Sequence, residues 1–135
     1  MQRIFWVFLT AVPLLAGKLT WYHTYDQAME QARAVHKNVY VFIDAPGCPY
    51  CERMRHSVLE RPDVVRSLAD YVLLNLKLGS RDTRKHFPHA QVTPTSYFVA
   101  TDGTILLDFA GYTNEEFFFW RMADAERIAA GRKKK

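Results

Sequence analysis

One stretch constrains this chain more than any other: Val39-Tyr40-Val41-Phe42-Ile43-Asp44-Ala45-Pro46-Gly47-Cys48-Pro49-Tyr50-Cys51. A β-favouring run enters a Pro-Gly turn, two cysteines follow three apart, and residues 52–59 read as helix. The order is strand, turn, cysteine, helix. Cys48 then falls at a helix N-terminus, where unpaired N–H groups and the helix dipole favour negative charge. A thiolate there is stabilised, its pKa falls, and it becomes a nucleophile at neutral pH. Cys51 lies on the same helix face one turn inward. That position suits a resolving thiol, which attacks a mixed disulfide and frees the product. These are the only two cysteines in 135 residues, so neither has another intrachain partner.

The length allows one domain with a real core and not two. The charge of +4 becomes informative once it is located. Arg132, Lys133, Lys134 and Lys135 follow Gly131 and account for all of it, so the rest of the chain is neutral. A neutral body carries no electrostatic footprint for nucleic acid. Residues 131–135 read as a solvated basic tail. At the other end, Met1-Gln2-Arg3 is followed by an apolar run over residues 4–16, interrupted only by Thr10 and Pro13. That is signal-peptide length, below the roughly 20 residues of a membrane-spanning helix. Residues 1–16 are therefore expected to be a signal peptide cut after Ala16, with an uncleaved anchor as the alternative. Export with a lone cysteine pair points to an oxidising compartment and to a pair that cycles.

Along residues 17–130, expected to be the domain, the pattern alternates. Residues 18–23 suggest a short edge strand. A helix over residues 25–37 carries Tyr25, Ala28, Ala32 and Val35 at helical spacing, with Thr24 as N-cap and Asn38 as stop. Residues 39–44 are apolar enough for a strand buried on both faces. The helix after Cys48 is expected to end near Glu60, and a further turn or two follows Pro62. Residues 71–78 are a second buried strand, and a short helix covers residues 81–87. Residues 96–100 and 104–110 are strands joined at Thr101-Asp102-Gly103, since Asp-Gly between apolar runs signals a hairpin. Asn114 caps a last helix whose core stripe is Phe118, Met122, Ala125 and Ala129. The alternation implies parallel strands with crossovers, and the hairpin adds antiparallel ones. The expected class is α/β: a central mixed sheet flanked by helices, ending in a β-hairpin and a C-terminal helix.

With these elements in place the chain resembles the exported, thioredoxin-like proteins of bacterial periplasms. Four motifs carry the likeness: Phe-Ile-Asp-Ala-Pro-Gly-Cys-Pro-Tyr-Cys after a strand, Arg-Pro-Asp-Val-Val before the next, Val92-Thr93-Pro94-Thr95 entering the hairpin, and Gly111-Tyr112 before the last helix. The pairing of CxxC with Thr-Pro-Thr about 40 residues later is the specific part. The resemblance implies a thioredoxin fold. It makes Cys48 the attacking and Cys51 the resolving cysteine, within an active-site loop of Pro46, Gly47, Pro49 and Tyr50. It makes Pro94 a cis-proline lying against the pair, and Thr93 the residue whose backbone receives an extended substrate segment. Two departures stand out. Cytosolic thioredoxins carry a buried aspartate six residues before the first cysteine, where this chain has Phe42. Asp44 stands two residues further on. It is expected to hydrogen-bond the Ala45-Pro46-Gly47 backbone, with modulation of the thiol pKa, which a nearby carboxylate raises, as its second role. The Pro-Tyr dipeptide is similar to that of glutaredoxins, but no glutathione site is read in the rest of the chain.

The function expected is thiol–disulfide oxidoreductase, a protein-disulfide reductase or isomerase acting on disulfide-bonded or thiol-containing exported proteins. It would work as a monomer without cofactor or metal, reduced by a membrane thiol-reducing electron donor. The other classes considered are a redox-inert binding module or chaperone using the groove at Thr93, and a metal carrier using Cys48 and Cys51. His86 and His89, with Lys85, are candidate neighbours for a Cys/His metal site, but H-x-x-H around a proline is irregular spacing and no second CxxC exists. His56 reads as solvated, and Arg53 and Arg55 as surface. Phe117, Phe118, Phe119 and Trp120 circle their helix, so they cannot share one core.

Overall fold

A strand with every residue buried needs a neighbour on each edge and cover on each face, and Val39–Asp44 (β2) has both. In the computed structural model, which describes residues 19–135, β2 pairs in parallel with Val72–Lys77 (β3) and antiparallel with Thr95–Val99 (β4). Trp21–Tyr22 (β1) lies parallel to β3 at one edge, and Ile105–Ala110 (β5) lies antiparallel to β4 at the other. The sheet order is β1-β3-β2-β4-β5, the mixed sheet expected, and the fold is thioredoxin-like. The expected signal segment, residues 1–16, lies outside the described residues. Among the described residues no helix is long and apolar enough to cross a membrane.

The period of two along β2 divides the core. Tyr40 and Phe42 face Met54, Val58, Val64, Leu68, Phe98, Phe118, Met122 and Ala125. Val39, Val41 and Ile43 face Ala28, Met29, Ala32, Phe87 and Tyr97. The first layer is covered by Pro49–Met54 (α2), Pro62–Leu68 (α3) and Glu115–Arg132 (α5). The second is covered by Tyr25–Val35 (α1) and the end of Arg81–His86 (α4).

The helices depart from the sequence reading in identifiable ways. In α1 the buried stripe is Ala28, Met29 and Ala32, and Val35 is exposed. The helix stops at Val35 because His36 turns left-handed (φ 56°), before Asn38 is reached. Thr24 holds the N-cap position without a side-chain bond, and the Tyr25 N–H donates to Asp82 Oδ2 at 2.7 Å, a cap supplied from α4. After α2 the chain widens into a π-helical segment, Arg55–Leu59, where the Glu60 N–H donates to the Arg55 carbonyl, five residues back, at 3.0 Å. In the hairpin, Gly103 takes a left-handed φ of 87° that other residues rarely adopt, and a Cβ there would come within 2.9 Å of the Tyr25 hydroxyl. Asn114 caps α5 as read, its Oδ1 accepting from the Phe117 N–H at 2.9 Å. That helix runs to Arg132, into the segment read as tail. Arg132 meets Asp102 Oδ2 at 2.6 Å and Thr104 Oγ1 at 3.2 Å, which holds the Asp102 carboxyl well below the usual carboxylate range.

Of the four consecutive aromatics on α5, only Phe118 is fully buried, against Tyr40, Phe98 and Phe109. Phe118→Ala is expected to cost about 3–5 kcal/mol of unfolding free energy. Trp120→Ala, on the exposed side, should stay within about 0.5 kcal/mol. Urea denaturation of the two variants beside the parent checks this difference.

Candidate active site

The turn after β2 is built from residues that permit it. Gly47 takes φ 67°, open to glycine at no steric cost, and Cys48 follows in extended conformation (φ −99°, ψ 101°). Cys48 is the N-cap of α2. Pro49 takes the first helical position, where its missing N–H loses nothing. The Cys48 Sγ accepts the Cys51 N–H at 3.2 Å, so sulfur fills the role usually held by an oxygen cap. Cys51, one turn in, is 0% exposed, whereas Cys48 is half-buried and its neighbours Pro46, Gly47, Pro49 and Tyr50 are exposed. The two sulfurs form a disulfide, with Cα atoms 5.3 Å apart.

The segment leading into β4 closes the other side. The Thr93–Pro94 peptide bond is cis. The Thr93 hydroxyl donates to Cys48 Sγ at 3.3 Å, giving that sulfur a second donor. The Pro94 carbonyl is taken by the Gly111 N–H at 2.7 Å, and next to it the Tyr112 ring lies under the Arg53 guanidinium, 4.7 Å from its centroid. Cys48, Cys51, Thr93 and Pro94 are thus gathered at one end of the sheet. Arg53, read as surface, is exposed and forms the rim between α2 and the loop before α5.

Asp44 departs from the reading. Its buried carboxylate does not bond the Ala45-Pro46-Gly47 backbone. Oδ1 accepts from Lys77 Nζ at 2.8 Å, and Oδ2 accepts from the Arg55 guanidinium. Arg55, read as surface, is half-buried. It also engages Glu52 and lies over the Phe42 ring at 5.6 Å. A buried carboxylate demands such partners, because desolvating an unpaired charge is costly. The sequence signal for Lys77 is strand register: Asp44 and Lys77 face each other as the last pair of β2 and β3. Nothing local marks Arg55, since its approach depends on the helix after Cys51. Beyond Arg55 lies a cavity of about 520 Å³, lined by Leu19, Trp21, Phe42, Leu59 and Val65 among others and by neither cysteine.

The histidines are placed elsewhere. His56 sits exposed on the helix between Glu60 (3.0 Å) and Glu52 (3.4 Å). The hydrogen bond to Glu60, then its charge, raises the imidazole pKa above its usual value. His86 stacks on Tyr25 with ring centroids 3.5 Å apart, and burial, then Lys85, lowers its pKa. His89 is exposed. Among the described residues no three His, Cys, Asp or Glu side chains are gathered as a metal site.

Comparison with known proteins agrees with this geometry. A family model described as "Thioredoxin-like domain" matches residues 25–126. The human "Anterior gradient protein 2 homolog" is 25% identical over 118 residues, covering 87% of this chain and 66% of that protein. This chain therefore spans just under two thirds of that relative's length. Among solved structures, a thioredoxin from Thermus thermophilus superposes with a TM-score of 0.68 at 24% identity, covering 84% of this chain and 88% of that one. The C-terminal domain of DsbD from Neisseria meningitidis in its oxidised form gives a TM-score of 0.60 at 19% identity, covering 73% and 91%.

The Asp44 cluster makes a stability prediction. Arg55→Met removes one of two cations from a buried carboxylate. The expected cost is about 1–3 kcal/mol, below the 3–5 of a charge left wholly unpaired, because Lys77 remains. Adding Asp44→Asn to Arg55→Met should recover part of that loss. Urea unfolding of the single and double variants checks it, and a double variant weaker than the single one contradicts it.

Proposed function

This chain belongs to the thioredoxin-like domain family, and we propose that it is a thiol–disulfide oxidoreductase working through Cys48 and Cys51. The observation that carries the reading is the asymmetry of the pair. Cys48 is half-buried and its sulfur receives two donors, the Cys51 N–H and the Thr93 hydroxyl, while Cys51 is sealed in the core. Donors aimed at a sulfur favour its charged form, so Cys48 is the thiolate of the reduced protein.

The cycle follows from these roles. In reduction, the Cys48 thiolate attacks one sulfur of a substrate disulfide, forming a Cys48–substrate bond and expelling the other substrate sulfur as a thiolate. Cys51 then loses its proton and attacks Cys48 Sγ, expelling the second substrate sulfur. The substrate gains two electrons, its two thiolates take up one proton from Cys51 and one from solvent, and the Cys48–Cys51 disulfide remains. Run backwards, the same steps oxidise a dithiol. Thr93 and Pro94 border the attacked sulfur. In this reading an extended substrate segment pairs with the Thr93 backbone, and Pro94, lacking an N–H, does not compete for acceptors at the site. Tyr50, exposed within the loop, borders the same approach.

The direction follows from how strongly the thiolate is stabilised. Two donors at Cys48 favour it. Asp44 opposes it less than its charge suggests, because Arg55 and Lys77 neutralise that carboxylate. No histidine stands between the cysteines to favour it further. These contributions support a middle potential, about −200 to −230 mV, above the about −270 mV of thioredoxin and well below the about −120 mV of a strong periplasmic oxidant. In an oxidising compartment such a pair stays reduced only if electrons arrive. We therefore assign it as a reductase or isomerase of exported proteins in the periplasm, supplied by a membrane thiol-reducing partner. The compartment rests on the sequence of residues 1–16.

Mixed-disulfide trapping tests the assignment. Cys51→Ser should accumulate covalent, reductant-sensitive adducts with thiol proteins, because the resolving step is lost. Cys48→Ser should accumulate none. Equal trapping by both variants overturns the roles. Trapping by neither, with no reduction of insulin by the parent protein in dithiothreitol, overturns the activity.

A further inference from the structure

Helix α5 buries Phe118, Met122 and Ala125, and its opposite side is open. Trp120 is exposed there at 63%, and Phe117 and Ile128, at 44 and 42%, lie on the flank beside it. At about 100° per residue, Phe117, Asp124 and Ile128 fall on one line with Trp120 beside them. Arg121, donating to the Asp108 carbonyl, and Arg132, reaching Asp102 and Thr104, fasten this helix to β5 and its turn. This strip of exposed side chains, with Asp124 among them, runs along α5 from the cysteine end of the sheet, where Ala110 pairs with Thr95, toward the hairpin end.

Charge along the strip is uneven. Asp124 is paired with Arg127, Glu115 with Arg61, and Glu126 accepts from Tyr71 on the other side of the helix. Glu116 and Asp108 belong to the cysteine end. At the hairpin end Arg132 is spent on Asp102, but Lys133, Lys134 and Lys135 are exposed and join no ion pair among the described residues. The cavities of about 450, 520 and 590 Å³ are lined by other elements of the fold.

We propose that this face docks on an anionic lipid surface. A convex helix with tryptophan, phenylalanine and isoleucine on one side and a basic cluster at its end matches what such a surface takes. The rings enter the headgroup boundary and the lysines meet lipid phosphates. The helix then lies along the surface, with Tyr112 and the cysteine rim at one end and the lysines at the other. This docking is independent of the redox chemistry and would orient the cysteine site beside a membrane.

The test uses the full chain with vesicles of pure phosphatidylcholine and of phosphatidylcholine mixed with phosphatidylglycerol, followed by co-sedimentation. Binding is expected to the mixed vesicles only and to weaken as salt is raised. Replacing all three residues, Lys133→Gln, Lys134→Gln and Lys135→Gln, should lower the partition coefficient by about two orders of magnitude. Trp120→Ala should lower it roughly tenfold. Because all four residues are exposed, circular dichroism and mixed-disulfide trapping should be unchanged in these variants. Equal binding to neutral and anionic vesicles, or binding untouched by the substitutions, overturns the proposal and assigns membrane contact to the apolar run of residues 4–16. Absence of binding to either vesicle also overturns it, and capture of a protein partner that Trp120→Ala abolishes would then give the face to a protein.

Discussion

The burial of β2 on both faces and both edges is the constraint on which the rest of the structure depends. A strand in that position cannot satisfy its backbone except through two neighbours, and cannot keep its side chains dry except under two helical layers. Val39–Asp44 meets both conditions, and its apolar run is the reason. The strand also has to end somewhere, and it ends at the edge of both layers, where the chain turns through Gly47 and presents Cys48. The cysteine is therefore delivered to the carboxyl end of the central, fully buried strand. That is where sites in open α/β sheets form.

What surrounds the sulfur is mostly backbone and short side chains. The Cys51 N–H comes from the first turn of α2 and the Thr93 hydroxyl from the segment entering β4, which is the other neighbour of β2. Both donors are thus positioned by elements attached to the same strand. The Asp44 carboxylate at its end is held by Lys77 from β3 and Arg55 from the helix. This arrangement keeps a buried negative charge compensated within a few residues of the cysteine turn. The wider π-helical segment that follows α2 begins at Arg55 itself.

Much of this was legible in the sequence where the determinant is local. The extent of β2, the hairpin at Asp102-Gly103, the Asn114 cap and the cysteine turn each follow from a few adjacent residues, and each is found where it was read. The failures share a cause. Asp82 capping α1, Arg132 reaching Asp102, and Arg55 with Lys77 on Asp44 all join residues distant along the chain, through side chains whose meeting depends on register and helix rotation. The stripe of α1 takes Met29 rather than Val35, which is exposed in the last turn, and the helix stops at a left-handed His36, two residues before the stop read at Asn38. The gathering of Thr93 and Pro94 beside Cys48 was reached through family likeness; periodicity alone would not have brought residues 45 positions apart together.

The central claim is that one thiol of the pair is activated and open while the other is closed off. The pH dependence of alkylation of the reduced protein measures this directly, with iodoacetamide as reagent and peptide mapping to locate the adduct. The account predicts modification at Cys48 alone, with a midpoint clearly below the ordinary cysteine value of about 8.5. Modification of Cys51 at a comparable rate, or a midpoint for Cys48 at or above that value, would contradict it.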